Sequence, residues 1–285
     1  MNVTTLVDIL VEQRDNHVDG SVYKAIQCDL AYSSNRIEGS RLSHDQTVMI
    51  FDGHDFSGTA PVDDIVEMAN HFRLFDRMLD HVGQEIDGAY LCELHGILKR
   101  GTRQDADPRF SVGSFKRFEN IIDGGIGGTR TCPPEEVPHR IGTLLASFAA
   151  LDAVNITDLA RFHASFEAIH PFSDGNGRVG RLVMFEQALA SAVVPFIVSD
   201  DLRPFYIRGL REWDKDKAFL TDTLLTAQDR FTASYVPLAE SYDRVSRRDG
   251  RDRHIPPTDE TLVALNDADA RQAHVTEKRV GQRKR

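Results

Sequence analysis

IHPFSDGNGRVGR, residues 169–181, joins two apolar-periodic segments through a loop of proline, aspartate and glycine. Upstream, Leu159 to Ile169 repeats apolar residues at helical spacing, and Pro171 disfavours the helical conformation in the residue before it, so the spacing predicts a helix ending at His170. Downstream, Val179 to Leu189 predicts a second helix. Gly175 and Gly177 let the backbone approach an anion, and Asn176 is the expected N-cap. A helix N-terminus behind glycines holds unpaired N–H groups at the positive end of its dipole, which suits a phosphate. Arg178 and Arg181 are three apart, share a face, and could clamp two phosphates. Asp174 is a hard oxygen donor of the kind that holds Mg²⁺. His170, with an ordinary pKa near about 6.5, can take a proton from a hydroxyl at neutral pH.

The same periodicity extends outward. Ile65, Met68, Phe72, Phe75 and Leu79 mark one helix, and Leu91 to Leu98 another. Val137, Ile141, Leu144, Phe148 and Leu151 mark a third, beginning near Glu135 behind Pro133 and Pro134; Leu220, Leu224, Ala227 and Phe231 mark a fourth. The predicted class is all-α. Residues 101–131 break the period with six glycines among Phe115, Phe118, Ile121 and Ile122, which predicts a short β-hairpin flap and a Gly-rich turn. No repeat and no Pro- or Ser-rich linker divides the chain. The expected organisation is a helical N-terminal region (1–60), a catalytic core (61–240) and a flexible tail (241–285).

With 285 residues, 41% of them hydrophobic, the chain can bury a substantial core. A formal charge of −10 argues against a nucleic-acid surface as its main business, the basic tail ending in KRVGQRKR being the one exception. No apolar run is long enough for a membrane span, and the first residues lack a secretory pattern, so a cytoplasmic protein is expected. Cys28, Cys92 and Cys132 are too scattered for a zinc or disulfide framework and read as reduced thiols. His163, Glu167 and His170 fall on one helix face, which leaves a zinc site as a lesser alternative without the HExxH order.

HPFSDGNGRVGR resembles the signature of the Fic (Fido) family, H-x-F-x-[D/E]-G-N-G-R-x-x-R, at every fixed position. The resemblance implies a helical core that binds ATP and Mg²⁺ and moves AMP onto a Ser, Thr or Tyr hydroxyl of a target protein, with pyrophosphate released. On that basis His170 is the base, Phe172 anchors the loop, and Asp174 holds the metal. Gly175, Asn176 and Gly177 form the anion hole, Arg178 meets the β- and γ-phosphates, and Arg181 holds the γ-phosphate. Tyr206 is placed near the adenine or in the core.

Residues 34–39, SNRIEG, resemble the family's inhibitory motif, [S/T]-x-x-x-E-[G/N]. Ser34 and Glu38 lie four apart on a helix expected at about 20–39, with Gly39 ending it. The implied mechanism pairs Glu38 with Arg181, occupying the guanidinium that the γ-phosphate needs. The segment with Phe115, Lys116, Ile121 and Ile122 corresponds to the target-docking flap, Ile121 or Ile122 clamping the target, with Lys116 where relatives often carry arginine. Transfer of another phosphate-containing group, removal of AMP, and a nucleotide-binding regulatory module are the alternatives. Self-association and self-modification are possible partners' roles for the chain itself.

Overall fold

The computed structural model describes residues 3–55, 58–122 and 129–249. Of the flexible tail expected over 241–285, residues 241–249 instead continue a helix and the rest lies outside the described residues, as does the Gly-rich turn at 123–128. Ten helices account for most of what is described: α1 (Val3–Asp15), α2 (Val22–Ile37), α3 (His44–Phe51), α4 (Val62–Leu79), α5 (Gly88–Lys99), α6 (Val137–Ala149), α7 (Ile156–Ile169), α8 (Asn176–Ala190), α9 (Arg203–Arg211) and α10 (Ala218–Asp249). Three one-turn 3-10 helices sit at Pro108–Phe110, Pro134–Glu136 and Asp200–Leu202.

The fold is built around α8, whose residues 176–189 are all buried, a pattern that fits a helix wrapped by others on every side. Helices α7, α4, α5, α1 and α2 pack against it. Leu6, Ile26, Phe75, Leu94, Phe166, Phe172, Phe185 and Phe231 belong to one continuous core, so α1 and α2 are seated in the same interior as α7 and α8. A second cluster, with Ile37, Leu159, Met184, Tyr206, Leu220 and Leu224, closes the side under α9 and α10. A small third cluster of Cys28, Leu42, Met68 and Phe72 joins α2, α3 and α4.

Two helix starts fix the pieces that carry the site. Ser21 caps α2 by accepting from the Lys24 N–H, and Asn155 opens α7 with a capping box completed by Asp158. Farther along α8, the buried Glu186 carboxylate is bonded by His81 Nδ1 at 2.7 Å and by the Tyr90 hydroxyl at 2.9 Å, which ties α8 to the turn after α4 and to α5.

The break in helical period at 101–131 corresponds to bends, one 3-10 turn and a two-rung antiparallel pairing of β1 (Ile121–Ile122) with β2 (Thr129–Arg130). Ile121 pairs with Arg130 and Ile122 with Thr129. Of the expected flap, Phe115, Lys116 and this pairing fall within the described residues, but the side chains of Ile121 and Ile122 do not. Among the described residues no helix is long and apolar enough to cross a membrane.

Candidate functional site

The end of α7, the loop 170–175 and the first turn of α8 converge on the C-terminus of α2. His170 closes α7 in the left-handed conformation, φ 52° and ψ 65°, its N–H donating to the Phe166 carbonyl at 2.9 Å. That backbone is uncommon for a residue with a side chain and turns the imidazole out of the helix line. Burial, and then the Lys116 ammonium, push the His170 pKa down to about 4, so the ring is neutral and able to accept a proton at neutral pH.

Below it, Phe172 is fully buried and stacks on His95, ring centroids 4.2 Å apart and planes 11° apart. Gly175 stands at φ 80° as the N-cap of α8, against Leu98 and Lys99, where a Cβ would lie 3.1 Å from Leu98 Cδ2. The expected cap, Asn176, is instead the first residue of α8. Its amide is turned back into the loop, where Oδ1 accepts from the Phe172 N–H at 2.8 Å and Nδ2 donates to the Phe172 carbonyl at 2.9 Å. A buried amide has to be satisfied, and pinning the loop satisfies it more fully than capping would.

Both loop arginines are buried and paired with carboxylates from the N-terminal helices. Arg178 meets Glu67 of α4, reaches Asn35 Oδ1 at 3.5 Å, and lies 3.6 Å from Asp174 Oδ2. Lys99, at the end of α5 and only 1% exposed, bridges Glu67 Oε1 at 2.5 Å and the Asp174 carboxylate. Two acids and two cations thus close a ring: Asp174, Lys99, Glu67, Arg178. Burial works against ionisation of Asp174, yet Lys99 and Arg178 outweigh it and hold the carboxyl below the usual carboxylate range.

Arg181 has partners on all its nitrogens. Nε donates to Ser34 Oγ at 3.1 Å, Nη2 to the Ser34 carbonyl at 2.9 Å and to Glu38 Oε1 at 2.8 Å, and Nη1 to the Tyr206 hydroxyl at 3.2 Å. Glu38 is the C-cap of α2, and Gly39, at φ 96°, turns the chain away after it. A Cβ placed on Gly177 would run into Glu38 Oε1, so the carboxylate lies directly across the first turn of α8. Its burial opposes ionisation, but Arg181 and Arg178 overcome that and lower its pKa.

The geometry also places Lys116, Phe115 and Tyr206, the last in the core, which is one of its two expected locations. Lys116 is 2% exposed and is no docking side chain; its Nζ donates to Thr131 Oγ1 at 2.6 Å, Asn120 Oδ1 at 2.8 Å and the Ile169 carbonyl at 3.3 Å, clasping the segment before β1 to the end of α7. Phe115 beside it is half-buried against Phe172. Tyr206 is 1% exposed beneath Arg181 and closed to a nucleobase, its hydroxyl also 2.6 Å from His163 Nε2. The zinc alternative fails, because His163 is engaged there and no group of three His, Cys, Asp or Glu among the described residues could hold a metal.

Glu67 and Lys99 gave no sign in the sequence. Glu67 sits between the apolar positions Ile65 and Met68, and Lys99 ends a helix as basic residues commonly do. Only the packing of α4 and α5 against α8 brings their charges under the loop.

Comparison with known proteins fits this geometry. Residues 85–188 match the sequence model of the Fic/DOC family. A probable protein adenylyltransferase of Aquifex aeolicus is 30% identical over 117 residues, 40% of this chain and 35% of the relative. The match thus spans about a third of that relative's length. A Fic domain containing signaling protein from Bacteroides thetaiotaomicron superposes with a TM-score of 0.69 at 20% identity, covering 77% of this chain and 89% of the other. Fic-1 from C. elegans does so with a TM-score of 0.61 at 20% identity, covering 84% and 72%. At that identity the two structures speak for the fold. The stretch that resembles the Fic/DOC family, residues 85–188, includes His170, the glycine loop and nearly all of α8.

Proposed function

We propose that this chain transfers AMP from ATP to a Ser, Thr or Tyr hydroxyl of a protein, releasing pyrophosphate, and that Glu38 restrains it. One observation carries the proposal: the Glu38 carboxylate lies across the first turn of α8 and on Arg181, so an anion of the protein itself stands at the helix N-terminus suited to a substrate phosphate. Support also comes from the Fic/DOC match and from the relative described as a probable adenylyltransferase.

In this assignment His170 takes the hydroxyl proton on its ring. Gly175, Asn176 and Gly177 present their N–H groups to the phosphates, and Arg178 and Arg181 neutralise them. Phe172 and the Asn176 amide keep the loop in one shape, which is worth more in catalysis than additional contacts, since preorganised donors need not reorient during the reaction. Ser34 and Gly39 set the position of Glu38. The pairing of Ile121 and Ile122 offers a strand edge for an extended target segment.

Mg²⁺ fits the residues present. Asp174 is a single carboxylate, 40% exposed, that already carries the Lys99 ammonium, and Mg²⁺ commonly takes one or two protein carboxylates with phosphates and water completing its shell. When bound, the ion supplies neutralisation of charge on the leaving pyrophosphate.

Labelled ATP with Mg²⁺ and a cell lysate provides the test. Glu38→Gly is expected to raise label incorporation by about 10-fold or more, because a charge-assisted pair is worth about 1.5–3 kcal/mol. His170→Ala in that background is expected to remove about 10²- to 10⁴-fold. Equal incorporation by Glu38→Gly and the wild type would falsify the restraint, and incorporation undiminished in the His170 variant would remove the base.

A further inference from the structure

The stripe His163, Glu167, His170 on α7 is not a metal site, yet its atoms are placed for another task. Glu167 Oε2 is 3.9 Å from His170 Nδ1, and Oε1 is 3.9 Å from His163 Nε2. Both Glu167 Oε1 and His170 Nδ1 are buried without a hydrogen-bond partner. Buried polar atoms are ordinarily satisfied, and a small rotation of this carboxyl would bring the two together. A histidine that accepts a proton at Nε2 must carry its own proton at Nδ1, and that proton needs an acceptor.

We propose that Glu167 is the positioning residue for His170: its carboxylate accepts the Nδ1 proton, fixes the tautomer that leaves Nε2 free, and stabilises the imidazolium formed during transfer. The inference rests on the assignment of His170 as the base. In the step concerned, the target hydroxyl bonds to the α-phosphorus as pyrophosphate leaves, its proton passes to Nε2, and Glu167 stays ionised throughout.

The surroundings of Glu167 link this role to the restraint. Facing it are Glu38 from α2, Arg181 from α8, Tyr206 from α9, and His163 and His170 from its own helix. Lys116, the Glu167 backbone, Glu38 and Asp174 face His170, the backbone contact being too loose to satisfy Nδ1. Burial, and then the Glu38 charge, push the Glu167 carboxyl up to about 8 against the pull of Arg181. With Glu38 docked, Glu167 therefore keeps its proton at neutral pH and donates where it should accept. The ring proton is then left on Nε2, the wrong place for a base. Withdrawal of Glu38 removes the second cause that favours the protonated carboxyl and leaves Arg181 to draw Glu167 toward the ionised form against burial. Glu38 thus acts at two points, on Arg181 directly and on His170 through Glu167.

Histidine-selective ¹⁵N NMR titration without nucleotide tests this in Glu38→Gly and in Glu38→Gly/Glu167→Gln, a pair that differs by an isosteric amide. In Glu38→Gly, His170 is expected in the Nδ1–H tautomer with a pKa about 1 unit or more above that of the double variant. Glu38→Gly/Glu167→Asp, which keeps the charge, is expected to recover part of that difference. The same His170 pKa and tautomer in all three variants would overturn the proposal. In AMP transfer, the glutamine variant is expected to lose about 10-fold in kcat with ATP affinity by calorimetry unchanged; a matching loss of ATP affinity would make Glu167 a packing residue and overturn it as well. If the imidazole difference appears but none of the variants transfers AMP, the Glu167 assignment stands and the transferase reading falls.

Discussion

At the scale of single residues, charge is arranged in closed pairs. Arg181 is held from one side by Glu38 and Ser34 and from the other by Tyr206, so loss of Glu38 frees one edge of the guanidinium without releasing the group. Lys99 illustrates the opposite risk. Its ammonium is buried between Glu67 and Asp174, and removing it leaves two acids facing each other near Arg178. Breaking a buried ion pair from one side costs about 3–5 kcal/mol, and solvent reaching the half-exposed Asp174 reduces that here to about 2–3 kcal/mol. Lys99→Met is therefore expected to destabilise by that amount in urea unfolding, and Glu67→Gln added to it to restore part of the loss. Additive losses in the double-variant cycle would show that the ring is not coupled.

At the scale of elements, what matters is which helix ends meet. The C-terminus of α2, where backbone carbonyls concentrate negative charge, delivers Glu38 to the positive N-terminus of α8. The delivery is rigid because Ile26 and Leu30 are core residues and Arg203 Nε donates to the Ile37 carbonyl at 2.9 Å, fixing the last turn of α2. Helices α9 and α10 close the far side through a backbone contact at Gly209. A Cβ there would lie 2.7 Å from both Leu220 Cα and Leu220 N, and neither atom can move without shifting α10. Gly209→Ala is expected to lower stability by about 1–3 kcal/mol, read as a drop in melting temperature. An unchanged melting temperature would mean that this packing is looser than it looks. Because Tyr206 lies on α9, the same substitution is also expected to weaken the grip on Arg181.

At the scale of the molecule, buried titratable groups set the response to acid. Burial pushes His71 and His163 down to about 3, and His95 and His170 down to about 4. For each, the unfolded chain binds a proton near about pH 6.5 that the folded chain refuses until the lower value, so stability falls as pH drops through that window. Glu167, raised to about 8, works in the other direction, gaining stability as pH falls from 8 toward the ordinary glutamate value. Asp76 and Glu186, also raised by burial, act in the same sense as Glu167 but from lower ordinary values, so between pH 7 and pH 5 the four histidines dominate. The unfolding free energy from urea titration is expected to fall between pH 7 and pH 5, by about 1 kcal/mol or more per fully buried histidine, and a value that holds steady or rises would contradict it.

Much of this protein is local and was readable as such. The helices from α4 to α8 announce themselves by apolar spacing, and the loop 170–181 by proline, glycines and arginines whose conformational and charge preferences act over a few residues. The link between Glu38 and Arg181 was legible only through a family resemblance, since nothing local relates positions 143 apart. What folding alone decided is the partnering of charge. Lys99 and Glu67 under the loop, Lys116 as a clasp, Tyr206 beneath Arg181 and Glu167 behind His170 all depend on which helix faces lie together. A side chain's charge is fixed by its type, whereas the energy of that charge depends on distance and burial, and these exist only once remote segments have packed.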